Sequence, residues 1–158
     1  VKEPLAKETE VKAWVGGYDI VHLLVHGKFG TEPLLSSIQL GGGGQDDGQL
    51  TAAEMFGLPL DQARLVVLSA CETGKAEVTG GNEVLGMMRA LIYAGAGSLI
   101  LSYWQVDSDA TTLWMESFYR AAQSAPPAEA ARQALQAVKS RSEYQHPYFW
   151  AAFMTVGR

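Results

Sequence analysis

Two short apolar runs, each ending in a reactive side chain and a glycine, restrict the folds open to this chain more than any other feature. Residues 64–70 read Arg64-Leu65-Val66-Val67-Leu68-Ser69-Ala70 and pass into Cys71-Glu72-Thr73-Gly74. Upstream, Ile20-Val21-His22-Leu23-Leu24-Val25 passes into His26-Gly27. Apolar runs this short, rich in branched residues, suit central strands of a sheet covered on both faces. Lying side by side and parallel, they deliver a thiol and an imidazole to one rim. That rim is the carboxyl edge, where open α/β sheets gather ligands and chemistry.

The rest of the chain supplies the covering layers. Residues 2–15 mix Lys and Glu with Leu5, Val11, Trp14 and Val15, which predicts an amphipathic helix closed by Gly16-Gly17. The first strand is expected from Tyr18 to Val25, a tight loop from Gly27 to Thr31, and a short strand or hairpin arm from Leu34 to Leu40. Four successive glycines within Gly41 to Gly48 predict a mobile surface loop. No Gly-Lys-Ser/Thr follows them, which excludes a P-loop. Thr51, with Glu54 three residues on, opens a short helix. A polar loop is expected from Glu72 to Gly81, a helix from Asn82 to about Tyr93, and a third strand from Ser98 to Tyr103. A rim loop follows from Trp104 to Asp109. Helices are expected from Thr111 to Gln123 and from Ala128 to Lys139, split by Pro126-Pro127. An aromatic segment from Tyr148 to Val156 closes the chain and ends as a strand. Strands alternating with helices imply a largely parallel sheet with helices on both faces.

Composition narrows the function classes. A length of 158 residues fits one domain. The net charge of −5 gives no electrostatic reason to expect a nucleic-acid partner. No apolar run reaches the ~18 residues of a membrane span, and no charged-then-apolar leader is present, so no membrane partner is expected. The single cysteine forms no internal disulfide, which suits a reducing, cytoplasmic setting. The start at Val1 suggests a piece of a longer polypeptide.

Cysteine is nucleophilic as its thiolate and needs a nearby base or positive dipole. Cys71, expected just past a strand among small residues, has backbone N–H groups near it that could stabilise an oxyanion. The alternative is a buried cysteine acting as a small hydrophobe. His26, at a strand end and followed by glycine, is the matching base. His22 lies mid-strand and reads as structural, and His146 reads as packing or capping. No second cysteine or metal-spaced cluster accompanies them, so a structural zinc site is not expected. Asp107 and Asp109, in the loop after the third strand, read either as a receptor for a cation or as N-terminal residues of the next helix.

His-Gly after an apolar strand, then Ser-Ala-Cys-x-x-Gly 45 residues later (26 to 71), resembles the caspase-like cysteine peptidase clan. The pattern is most similar to the CHAT domain, a bacterial caspase-like domain often joined to tetratricopeptide repeats and related to separase. The matching pieces are Val25-His26-Gly27, Leu50-Thr51-Ala52, Leu68 through Gly74, Gly80-Gly81-Asn82-Glu83, Ala94-Gly95-Ala96, Leu101 through Asp107, and His146-Pro147-Tyr148-Phe149-Trp150-Ala151-Ala152-Phe153.

The resemblance implies a three-layer α/β/α caspase-like sandwich with a mostly parallel sheet. The chain, residues 1–158, is then expected to be the carboxyl-terminal portion of the domain, without its first strands. It implies a cysteine endopeptidase with a His26–Cys71 dyad, an oxyanion hole of the Gly27 and Cys71 amides, and no metal or organic cofactor. By analogy with separase it implies cleavage after Arg or Lys, with Ser69, Asp107 and Asp109 lining the pocket. The implied partners are a protein or peptide substrate and upstream tetratricopeptide repeats or a regulatory protein. A non-catalytic CHAT module that binds partner proteins, and an acyl-transfer enzyme with the same dyad, are the alternatives.

Overall fold

The computed structural model describes residues 6–72 and 82–157; the expected loop from Glu72 to Gly81 therefore lies, beyond Glu72, outside the described residues. In chain order the elements are α1 (Glu8–Trp14), β1 (Ile20–Lys28), β2 (Ser37–Gln39), β3 (Gln49–Thr51), α2 (Ala52–Met55) and β4 (Leu65–Glu72). Then follow α3 (Asn82–Tyr93), β5 (Ser98–Ser102), α4 (Ser108–Ala121), α5 (Pro127–Lys139) and β6 (Phe153–Gly157). They build a mixed α/β fold on one six-stranded sheet of order β3-β2-β1-β4-β5-β6. The centre, β1-β4-β5, is parallel. The flanking pairs β1-β2, β2-β3 and β5-β6 are antiparallel, so β1, β3, β4 and β5 all run the same way. This is the α/β sandwich expected, compatible with a caspase-like arrangement.

Alternation along the central strands separates two cores. Val66, Leu68, Leu99 and Leu101 face one side, where they meet α1, α2 and α3 through residues such as Val11, Met55, Met87 and Leu91. Leu65, Val67 and Ile100 face the other, against Ala110, Trp114 and Phe118 of α4 and Ala130, Ala134 and Val138 of α5. Burying each such branched or aromatic side chain stabilises the fold by ~1.5–3 kcal/mol. Trp114 anchors the second core, stacked on Phe118 at 5.4 Å and on Phe153 at 4.3 Å between ring centroids. The closing aromatic segment packs as expected, although Phe149, Trp150 and Phe153 are half-buried and the fully buried rings belong to α4. Among the described residues no helix is long and apolar enough to cross a membrane.

Three local expectations are corrected. β1 does not stop before Gly27 but continues to Lys28, because β2 pairs with His26, Gly27 and Lys28 and holds them extended. Cys71 is not past its strand: pairing of β4 with His26 and Gly27 carries β4 through Glu72. The glycine-rich loop is not a free excursion. Gly43 bridges Asp46, Gly41 bridges Lys7, and the Leu40 N–H donates to the Gly48 carbonyl at 2.8 Å. The side chain of Glu8, only 1% exposed, accepts the Gly48 N–H at 2.9 Å. Gly48 has φ +84°, and a Cβ there would lie 2.8 Å from the Gly42 nitrogen, so this glycine is required by geometry.

β1 is paired unevenly. Toward β4 its ladder runs from Ile20 to Gly27, but toward β2 it covers only 26–28. Among the described residues, 20–25 therefore have no strand on their β2 side, and Leu24 is 77% exposed.

Candidate active site

The register of β1 and β4 sets His26 directly beside Cys71, and Gly27 beside Glu72, at the carboxyl ends of two parallel strands. Adjacent strands lie ~4.8 Å apart, so the two residues are neighbours along the backbone ladder. His26 is exposed. Gly27 is buried and flanked by Ile38 on β2 and Glu72 on β4, so strand pairing rather than a loop sets its backbone. Ser69, two residues before Cys71, is 5% exposed and lies in register with Leu24.

Asp107 is the N-cap of α4. Its Oδ1 accepts the N–H groups of Asp109 at 3.0 Å and Ala110 at 3.1 Å, and Asp109 lies in the first helical turn. The loop before it is fixed by aromatic hydrogen bonds: the Tyr148 hydroxyl donates to the Gln105 carbonyl at 2.6 Å, and Trp104 Nε1 donates to the Tyr148 carbonyl at 3.0 Å. Both carboxylates thus sit on a rigid support one strand from β4.

The other two histidines have structural partners. His22 Nδ1 and the Tyr119 hydroxyl share a hydrogen bond of 2.9 Å, and desolvation holds the imidazole below its ordinary pKa. His146 caps a short turn, its Nδ1 accepting the Tyr148 N–H at 3.2 Å.

Sequence reasoning missed the polar concavity beside the histidine. A cavity of about 460 Å3 is lined by Gly27, Lys28, Ser37, Gln39, Asp47, Gln49 and their neighbours. Gln39 is the β2 partner of His26, so the cavity adjoins the histidine on the side away from Cys71. The available signal was the period-2 pattern Ser37-Ile38-Gln39 and Gln49-Leu50-Thr51, in which only the middle residue of each is apolar.

One wall of that cavity is held by an ion cluster. Lys12 Nζ meets Glu8 at 2.6 Å, Asp46 at 3.0 Å and Glu54 at 3.0 Å. The Glu8 carboxylate and these partners hold the Lys12 ammonium well above its ordinary pKa. Glu54 is pulled down to about 2, first by the Thr51 hydroxyl and N–H that complete its capping box, then by Lys12. The cluster joins α1 and α2 to the loop that supplies Asp47 and Gly48.

The profile of the CHAT domain family matches residues 2–158. Tetratricopeptide repeat protein 28 of Homo sapiens is 34% identical over 109 residues, which are 68% of this chain and 4% of that protein. Its Mus musculus counterpart is 31% identical over the same length. The chain thus spans about 4% of the length of these relatives. Both are animal proteins, so they lend no support to the expected bacterial setting. With a family match over nearly its whole length, the chain belongs to the CHAT domain family.

Proposed function

We propose that the domain is a cysteine endopeptidase that cleaves after Arg or Lys. The observation that supports this most is the in-register meeting of His26 and Cys71 on adjacent parallel strands. The Cys71 thiol gives its proton to His26, and Sγ attacks the scissile carbonyl. The C–N bond then breaks, leaving a thioester, as His26 passes the proton to the departing amine. Water hydrolyses the thioester. The amides of Gly27 and Cys71 receive the oxyanion. Asp107, with Oδ1 committed to capping α4, offers Oδ2 to a substrate cation. Asp109 is the second acidic group, and Ser69 is small enough to line the pocket without filling it.

The named relatives are tetratricopeptide repeat proteins, which suits repeats elsewhere in a longer chain that present a substrate or regulate the site. The competing reading is a CHAT module that binds partners without catalysis. A peptidyl-arginine acyloxymethyl ketone separates the two: labelling of the wild type that is lost in Cys71→Ala supports the peptidase. Absence of labelling, with no cleavage in an arginine-containing peptide library, favours the binding module.

A further inference from the structure

The cavity beside His26 lies on the face of the sheet that the reaction would use. Ile38, Leu40 and Leu50 belong to the core under α1, α2 and α3, so their alternating neighbours Gln39 and Gln49 point to the opposite face. Gln39 pairs with His26 on one side and Gln49 on the other, and Lys28 pairs with Ser37. Paired residues share a face, so His26, Gln39 and Gln49 form one row and Lys28 and Ser37 the next.

We propose that this cavity is the subsite for the substrate residue that follows the scissile bond, and that it takes an acidic side chain. The inference rests on the peptidase reading. His26 protonates the departing amine, so the chain beyond the scissile bond leaves on the side of His26. Cys71 lies on β4, to one side of that histidine, and β2 and β3 lie to the other. A substrate attacked over β4 therefore crosses His26 into the cavity. The volume of about 460 Å3 is within the ~300–1,000 Å3 range of small-ligand pockets and accommodates a side chain with its flanking backbone.

Charge selects the occupant. Lys28 forms no ion pair with any described residue. The wall carboxylate of Asp47 is engaged with its own loop, its Oδ1 accepting the Gln49 N–H at 2.8 Å. Asp47 Oδ2 stays free among the described residues, so the wall carries one anion and one cation; the selecting group is the unpaired Lys28 ammonium, with the N–H donors of the Gln39 and Gln49 amides beside it. A glutamate or aspartate carboxylate is the ligand that satisfies them together, by charge-assisted hydrogen bonds.

The test uses the full chain and peptides with arginine before the scissile bond and glutamate, glutamine, leucine or lysine after it. A fluorogenic arginine amide, which has no residue after the bond, reads the dyad alone. The wild type should favour glutamate over lysine by about tenfold in kcat/KM. Lys28→Gln should collapse the glutamate-to-leucine ratio toward one, and Lys28→Arg should keep it. Cleavage of the amide with no discrimination among the four peptides, or a glutamate preference unchanged in Lys28→Gln, overturns the subsite and leaves the peptidase standing. Failure to cleave the amide or any of the peptides overturns the peptidase reading and the subsite with it.

Discussion

His26 and Cys71 occupy one register position of a parallel ladder that begins at Ile20 and Leu65 and runs without a break to the two residues. Their separation is therefore set by continuous strand pairing rather than by a loop. A slip by one residue would move every apolar position of β1 to the wrong face, which makes the register costly to lose. Acting as a unit, Cys71→Ala and His26→Ala should each lower kcat/KM toward arginine peptides by at least ~10²–10⁴-fold, with the double variant little worse than either. Steady-state kinetics and thermal melts check this. Substantial turnover by Cys71→Ala would exclude the dyad.

Asp107 joins two roles that one pair of substitutions separates. Asparagine caps helices about as well as aspartate, so Asp107→Asn should keep stability and weaken arginine preference. Asp107→Ala should also cost ~1 kcal/mol of stability. Fluorogenic peptides with arginine, lysine or aspartate before the scissile bond measure this. An arginine preference untouched by both Asp107→Asn and Asp109→Asn would remove the pocket assignment.

Among the described residues, Glu8 is the only carboxylate that meets both Lys12 and the Gly48 N–H. Glu8→Ala leaves that amide without its acceptor and should destabilise the domain by ~1–3 kcal/mol in urea titration. Hydrogen exchange should quicken in the 41–48 loop first. A loss below about 0.5 kcal/mol with unchanged loop exchange would show that the loop holds itself.

Trp114 is fully buried, yet its Nε1 has no hydrogen-bond partner among the described residues. Trp114→Ala should cost ~3–5 kcal/mol. Trp114→Phe should cost clearly less, since it keeps the ring stack and removes the unpartnered N–H. Trp150, half-buried with the Lys139 ammonium 5.0 Å from its ring centroid, should tolerate truncation better than Trp114. Equal losses for Trp114→Ala and Trp150→Ala would contradict this ranking.

The pH dependence follows from His22 and Glu54. Desolvation depresses the His22 pKa in the folded chain below its ordinary 6.5, so the unfolded chain binds that proton more readily. Stability from this group is present above about 6.5 and falls as pH drops through the depressed folded value. Glu54, held at about 2 against an ordinary 4.5, adds a second loss as pH falls from about 4.5 toward about 2. Melting temperature should decline in these two windows, and His22→Gln should remove the upper one. An unchanged upper decline in His22→Gln would assign it elsewhere.

β4 and β5 were legible because burial on both faces leaves a short apolar run whatever surrounds it; β1 keeps such a run although Ile20, His22, Leu24 and His26 on one of its faces are exposed. Their ends were not, because β2 and β1, not local propensity, decide that Gly27 and Cys71 stay extended. The glycine loop was misread for a similar reason: its anchor, Glu8, lies 40 residues upstream, beyond any local entropy argument. The Thr51–Glu54 capping box was legible because both partners lie within one helical turn. At Asp107 the sequence supported either a cap or a cation receptor. The structure supplies the cap, whose chemistry needs only local backbone, while a substrate contact depends on a molecule outside the chain.

β1 also carries an open side. From Ile20 to Val25 its backbone is laddered to β4 alone among the described residues, and Ile20 and Leu24 stand exposed beside that edge. Such an edge is a template for any extended peptide, and at high concentration it invites strand-to-strand association between molecules. The strand that aligns the imidazole is thus the one most readily recruited into a foreign sheet. Whatever completes its ladder becomes hydrogen-bonded to the backbone that holds His26.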